Sequence, residues 1–95
     1  MSLLDEILNI KFEETKRKSY KELSLQINNV ECFKTTHTGK RFQFEIHVNK
    51  EGQMLKVMVE CSRDLFFLDM FGQHKYFSIN ENGDVADLTG SDFWG

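Results

Sequence analysis

Apolar residues near the start of the chain recur at the spacing of one helix face: Leu4, Ile7, Leu8 and Phe12. Ser2 precedes them as a candidate N-cap, and Asp5 and Glu6 fall in the first turn, where negative charge favours a helix. The pattern predicts a helix from about Ser2 to near Lys18. The mixed charges from Glu13 to Lys18 indicate a solvated surface.

The period of the pattern changes to two at Leu23. Leu23, Leu25 and Ile27 alternate with the polar residues Ser24 and Gln26. Side chains of a strand point to opposite faces in turn, so this alternation is typical of a half-buried strand. We therefore expect the first strand to begin at Leu23, and the pattern after it also favours strands.

Four candidate turns divide the rest of the chain: Thr38-Gly39, Glu51-Gly52, Ser62-Arg63 and Gly72-Gln73. A tight turn fixes which residues of its two strands face each other. The resulting pairs are apolar on one face: Phe33 with Phe44, Val48 with Leu55, Val57 with Leu68, and Leu68 with Phe77. The sequence thus predicts an α+β fold, a single domain of residues 1–95. In it the N-terminal helix packs on one face of a five-stranded antiparallel β-meander.

A second interpretation applies to residues 63–71. Ser62 could cap a short helix from Arg63 to Phe71, since Leu65, Phe66 and Leu68 also tolerate helical spacing. That helix would remove the fourth strand of the meander. The sequence leaves both interpretations open.

The opposite face of the predicted sheet, which we call the second face, carries an apolar band: Val30, Met58, Leu65, Phe67 and Tyr76. A band of this size is larger than scattered surface hydrophobes normally make. We expect it to be a homodimer interface, with Met58, Phe67 and Tyr76 near its centre. The alternative is that the segment from Val85 to Trp94 folds back over it.

Composition and charge narrow the classes of partner. The 95 residues carry a formal net charge of -3, whereas nucleic-acid-binding modules usually have a basic excess. No apolar run approaches the length of a membrane span. We expect neither nucleic acid nor membrane as a partner. Cys32 and Cys61 fall on opposite faces of the predicted sheet, so they should stay unpaired. Two cysteines in a chain without other secretory features also favour reduced thiols and a cytoplasmic location.

Residues that could carry chemistry are few. Cys32, Glu45 and His47 share the second face, but a flat sheet face supplies neither a pocket nor an oxyanion hole. The three histidines, His37, His47 and His74, lack the spacing of metal ligands. We therefore expect no enzymatic activity and no metal or other cofactor.

Two function classes follow from these patterns. The first is a small acidic interaction module without enzymatic activity, acting as a homodimer and able to dock a basic protein partner. The alternative is a small α+β domain that binds an apolar ligand, with Cys61 or Tyr76 lining the cavity and phenylalanines forming its wall. An enclosed cavity or a symmetric interface would distinguish the two.

Overall fold

The structure, a computed structural model, describes residues 3–63 and 72–94. Within these ranges the elements are, in chain order, α1 (Leu3–Lys16), α2 (Tyr20–Ser24), β1 (Glu31–His37), β2 (Lys40–Glu51), β3 (Met54–Arg63), β4 (Gln73–Asn80), β5 (Val85–Leu88) and α3 (Gly90–Trp94). The strands form one antiparallel sheet in the order β1-β2-β3-β4-β5. The predicted α+β fold, a helix followed by a five-stranded antiparallel sheet, is confirmed.

The N-terminal helix α1 supplies one half of the core. It buries the apolar stripe predicted from its spacing, with Ile7, Leu8 and Phe12 all nearly inaccessible to solvent. α1 packs over β3 and β4, and the Phe12 ring meets the Phe77 ring edge to face at 5.7 Å between centroids. An edge-to-face pair adds to the stabilisation from burial alone. The helix ends at Lys16, two residues before the expected end.

The strand predicted from Leu23 is wrong, because the chain forms α2 there. Ser19 is its N-cap, and the Ser19 hydroxyl accepts a hydrogen bond from the Glu22 amide while the Glu22 carboxylate accepts one from the Ser19 amide. This capping box starts a helical turn. Leu23 is buried but Leu25 is 75% exposed, so the alternation of apolar and polar residues does not reflect a sheet face.

The hairpin of β1 and β2 has the predicted register. Phe33 pairs with Phe44, and their rings stack at 5.1 Å between centroids. Thr38 and Gly39 form the turn, with φ values of 51° and 76°. Two positive φ values are those of the type I′ turn, whose twist matches that of the flanking strands.

The predicted register of β2 and β3 is wrong, because the turn between them lies one residue later than predicted. Val48 pairs with Val57 rather than Leu55, since the turn is Gly52-Gln53 rather than Glu51-Gly52. Gly52 has a φ of 62° and takes the first central position, where a type II′ hairpin turn favours glycine. Moving the turn by one residue shifts the pairing by two, which leaves every side chain on its predicted face.

The predicted fourth strand over residues 63–71 does not lie between β3 and β4. These strands pair directly, with Val57 opposite Phe77, and β5 pairs with the other side of β4. Phe77 therefore lies between Val57 and Asp87, which excludes the predicted pairing of Leu68 with Phe77 and of Val57 with Leu68. Residues 64–71 are outside the described ranges, and so the structure does not decide between strand and helix there. β5 supplies the fifth strand instead.

The core face of the sheet is the apolar layer that the alternation predicted. Its buried members are Phe42, Phe44, Ile46, Val48, Leu55, Val57, Val59, Cys61, Phe77 and Ile79. α1 and Leu23 of α2 pack against this layer, and Phe33 covers part of its β1 end. Among the described helices, none is long and apolar enough to cross a membrane.

Candidate interaction surfaces

The second face of the sheet is partly covered by α3. Phe93 is buried against the Tyr76 ring, at 5.3 Å between centroids, and Met58 beside Tyr76 in the sheet is only 3% exposed. Gly90 also lies close to the Tyr76 ring, where an added Cβ would already be in van der Waals contact. The chain thus covers with its own helix Tyr76, one of the residues at the predicted centre of the apolar band.

Polar contacts hold α3 in this position. Thr89 and Asp92 form a capping box, in which the Asp92 carboxylate accepts hydrogen bonds from the Thr89 amide and hydroxyl. These bonds lower the pKa of Asp92. The Lys56 ammonium donates to the Asp92 carbonyl at 2.7 Å, from β3 beneath the helix. The end of α3 is therefore joined to the centre of the sheet by both an apolar and a charged contact.

The residues predicted as a homodimer interface have different environments. Met58 is buried and Tyr76 is half-buried against Phe93 of α3, whereas Val30, 52% exposed, lies just before β1. Leu65 and Phe67 are outside the described ranges. Met58 and Tyr76 are thus already in contact with the chain's own residues, and Val30 is the exposed member of the predicted set among the described residues.

A row of polar side chains crosses the rest of the second face, one from each of four neighbouring strands: Cys32, Glu45, Glu60 and His74. Glu60 Oε2 lies 2.9 Å from His74 Nε2. This contact is an ion pair when the imidazole is protonated. Glu45 lies directly opposite Glu60, and like charges in that position destabilise a sheet. No described residue places a cation within ion-pair distance of Glu45. We call these four residues the acidic row.

The candidate thiol, acid and imidazole group is not assembled. Glu45 is opposite Cys32 as predicted, but His47 pairs with Met58 one row away. The Cys32 sulfur accepts a contact from the Gln43 amide at 3.6 Å, and no hydrogen bond joins it to His47 in residues 3–63. In the described part of the chain no group of three or more His, Cys, Asp or Glu residues could hold a metal ion.

The two thiols should react very differently. Cys61 is buried in the core layer, and burial together with the charge of Glu60 raises its pKa to about 12. Cys32 is exposed on β1, and both cysteines are free. Because the thiolate is the reactive form, we expect a thiol reagent at pH 8 to label Cys32 rapidly and Cys61 only after unfolding.

Timed labelling followed by peptide mass spectrometry measures this difference. The Cys32→Ser variant is the control, since it should lose the rapid phase and keep the slow one. Rapid labelling of Cys61 in the folded chain, or an intramolecular disulfide between the two cysteines, would contradict the opposite placement of their side chains.

The most exposed charged side chains of α1 are acidic. The sequence of the helix, which mixes acidic and basic residues, does not reveal this. Lys11 and Lys16 are each 21% exposed and bend over the rings of Phe33 and Phe12, at 4.4 and 4.9 Å from the ring centroids. Lys16 also donates to Asp87 at 2.8 Å, and this hydrogen bond raises the pKa of Lys16. The lysine charges therefore lie close to the body of the protein.

The acidic side chains of α1 are more exposed than the lysines with which they form ion pairs, Glu13 with Lys16 at 3.8 Å and Glu14 with Lys11 at 3.5 Å. Glu13 and Glu14 are 61% and 57% exposed, and Glu6 is also exposed. They surround Ile10, which is 57% exposed although it is a large apolar residue. We call Glu6, Ile10, Glu13 and Glu14 the acidic helix face.

Strand β1 is an edge of the sheet. It pairs with β2 on one side, and in the described ranges no strand pairs with its other side. α1 lies over β3 and β4, which leaves a groove of about 210 Å³ between α1 and β1. Ile10 and Phe33 line this groove, and Phe33 is half-buried. An uncovered edge strand presents unpaired backbone groups to another chain.

The grooves found between the described residues open to solvent. One of about 500 Å³ lies between the α1–α2 junction and the β4–β5 turn and has Lys18, Lys21 and Glu81 in its walls. The sequence offered phenylalanines as the wall of a ligand cavity, and three of them, Phe42, Phe44 and Phe77, are packed in the core. The described residues thus form open surfaces, whereas binding of a small apolar ligand, the alternative function, needs an enclosed site.

No relative identifies these surfaces, because no family model, curated protein or solved structure matches the chain. The acidic helix face, the edge strand β1 and the acidic row are the features from which a function can be inferred.

Proposed function

We propose that this chain is an interaction module without enzymatic activity that docks a basic protein partner on the acidic helix face. The observation that carries the proposal is the difference in exposure between the charges on α1. The ammonium groups of Lys11 and Lys16 lie over phenylalanine rings and form ion pairs with Glu14 and Glu13, whose side chains are 57% and 61% exposed. A partner approaching α1 therefore meets carboxylates that are more exposed than the lysines beside them.

Ile10 supplies the apolar part of the proposed contact. Interfaces commonly have an apolar centre within a polar rim, and long-range charge steers the two proteins together. Ile10 is exposed between Glu6 and Glu13 on successive turns of the helix. A partner with an apolar side chain flanked by lysine or arginine would fit this arrangement. The two free thiols are consistent with the cytoplasmic location that we retain as part of the proposal.

Titration with a synthetic helical peptide tests the class of partner. The probe is an amphipathic peptide of lysine and leucine, and the matched probe carries glutamate in place of lysine. We expect the basic peptide alone to shift the amide resonances of α1, with an affinity that falls as salt is added. Glu13→Lys should raise the Kd about tenfold, because it replaces attraction with repulsion at the contact.

Glu81→Lys is the control for net charge, since Glu81 is exposed in the turn after β4, where it lines the groove at the C-terminal end of α1 and is not part of the acidic helix face. It changes the formal charge by the same amount as Glu13→Lys and should leave the Kd almost unchanged. Equal weakening by the two substitutions, or equal binding of the two peptides, would show that the acidic helix face is not a docking site.

A further inference from the structure

A groove with basic walls lies just beyond the acidic helix face, at the junction of α1 with α2. Arg17 and Lys21 line it, and its apolar part consists of the buried Ile79 and of Val85, which is 40% exposed. We propose that this basic groove binds the acidic helix face of a second copy of the chain, and that the two copies pair about a twofold axis near the end of α1. The basic partner of the proposed function, on which this inference rests, is then another copy of the same chain.

The basic groove contains cations that have no acidic partner. Arg17 and Lys21 are both exposed, and neither forms an ion pair with a carboxylate among residues 3–63 and 72–94. Among the described residues that line the groove, four are basic and one, Glu81, is acidic. A carboxylate from another molecule can therefore reach Arg17 or Lys21 without displacing an existing ion pair.

The acidic helix face is followed along the same helix by a basic residue of the groove. One row on α1 and the turn after it consists of Ile10, Glu13, Glu14 and Arg17. Ile10 and Arg17 are seven residues apart, which is close to two helical turns and about 10 Å. Along this row the surface changes from apolar and acidic to basic. The row is therefore complementary in charge to a second copy of itself that runs in the opposite direction.

Symmetry and charge select one antiparallel arrangement of the two rows. A twofold axis between Glu13 and Glu14 would place these carboxylates against those of the second copy, which is unfavourable. An axis about two residues further along, at the end of α1, places Glu14 against Arg17 of the second copy on both sides of the axis. Ile10 then lies beyond Arg17 of the second copy, over its basic groove.

The apolar side chains of the proposed contact are both exposed in the single chain. Ile10 is 57% exposed and Val85 is 40% exposed, although each is a large hydrophobic residue. Packing of Ile10 against Val85 of the second copy removes both from water, and symmetry repeats this contact. The carboxylates of α1 and the cations of the groove then form the polar rim around it.

Sedimentation equilibrium of the full chain, from micromolar to millimolar concentration, tests the pairing. We expect a monomer–dimer equilibrium. Arg17→Glu and Glu14→Arg should each raise the dimer Kd at least about tenfold, because each places like charges together on both sides of the axis. An equimolar mixture of the two variants should dimerise again, since Glu14 meets Arg17 on one side and the two exchanged charges meet on the other.

Lys50→Glu is the matched control for charge, since Lys50 is exposed near the far end of β2. It should dimerise like the wild-type chain. Circular dichroism should show that the variants keep the fold, because Glu14 and Arg17 are both exposed. A monomer at every concentration, equal weakening by Lys50→Glu and Arg17→Glu, or a mixture that stays monomeric would overturn the pairing.

Disulfide trapping tests whether Ile10 enters the basic groove. Cys32→Ser is the background, because Cys32 is the exposed native thiol. In a mixture of Ile10→Cys and Val85→Cys chains, we expect mild oxidation to join the two variants to each other. Ile10→Cys mixed with Lys50→Cys should give little of the mixed product. A product formed mainly by two Ile10→Cys chains would place the axis at Ile10 and would contradict the proposed arrangement.

The peptide of lysine and leucine distinguishes failure of this pairing from failure of the docking function. It should dissociate the dimer, since it competes for the acidic helix face. A chain that binds the peptide but stays monomeric would keep its docking function and lose the second copy as its partner. A dimer that persists at saturating peptide would show that the two copies pair through another surface. A monomer that does not bind the peptide would overturn both proposals.

Discussion

Phe77→Ala is expected to lower the free energy of unfolding by about 3–5 kcal/mol. Phe77 is fully buried at the centre of the sheet, where it pairs with Val57 and meets the Phe12 ring of α1. Its removal leaves a cavity between the helix and the sheet that neither can fill without moving. Small domains are stable by about 5–15 kcal/mol, so this single change removes a large share of the total.

Urea unfolding monitored by circular dichroism measures the loss. Val85→Ala is a suitable comparison, since Val85 pairs with Ile79 on the same side of the sheet but is 40% exposed on the edge strand β5. Val85→Ala should lower the free energy of unfolding much less than Phe77→Ala does. A loss below about 1 kcal/mol for Phe77→Ala would be typical of a surface site and would contradict the packing of α1 on β4.

Phe93→Ala is expected to release α3 from the second face and to lower the free energy of unfolding by about 1–3 kcal/mol. The cost is smaller than at Phe77 because a five-residue helix at the edge of the described structure can detach while the sheet stays folded. Release uncovers Tyr76, whose ring contacts Phe93 of α3. We therefore also expect the variant to associate more strongly than the wild-type chain, through an apolar patch that is normally covered.

Hydrogen exchange resolved by residue separates local release from global unfolding. Amides of α3 should exchange much faster in Phe93→Ala, while amides of β3 should keep their protection. Ser91→Ala, an exposed change in the same helix, should leave both sets unaltered. Unchanged exchange in α3 would show that Phe93 does not hold the helix on the sheet.

The sequence predicted the faces of the strands and the pairing of β1 with β2 correctly, but not the register of β2 with β3 or the pairing of β3 with β4. Alternation of apolar residues placed Phe44, Val57 and Phe77 on the core face correctly, because the side-chain period of two does not depend on register. For the same reason alternation could not detect that the turn lies at Gly52-Gln53. It also accepted an extra strand between β3 and β4, since any strand of the right parity satisfies the test.

The candidate surfaces could not be predicted from the sequence, because they depend on the directions of side chains, which the order of residues does not give. The mixed charges from Glu13 to Lys18 predicted an ordinary solvated surface, whereas Lys16 bends toward Phe12 and Asp87 and leaves Glu13 outermost. The contact of Phe93 with Tyr76 was one of two alternatives that the sequence left open. In contrast, the Ser19 and Glu22 spacing is a capping signal that could have predicted α2 from the sequence alone.

The packing of α1 over β3 and β4 also fixes an order of events during synthesis. α1 ends at Lys16, but the residues that bury its apolar stripe belong to strands that end at Arg63 and Asn80. A growing chain therefore exposes Ile7, Leu8 and Phe12 until most of the sheet has left the ribosome. Contacts this distant in sequence slow folding, so α1, which is made before the strands, is among the last elements to be buried.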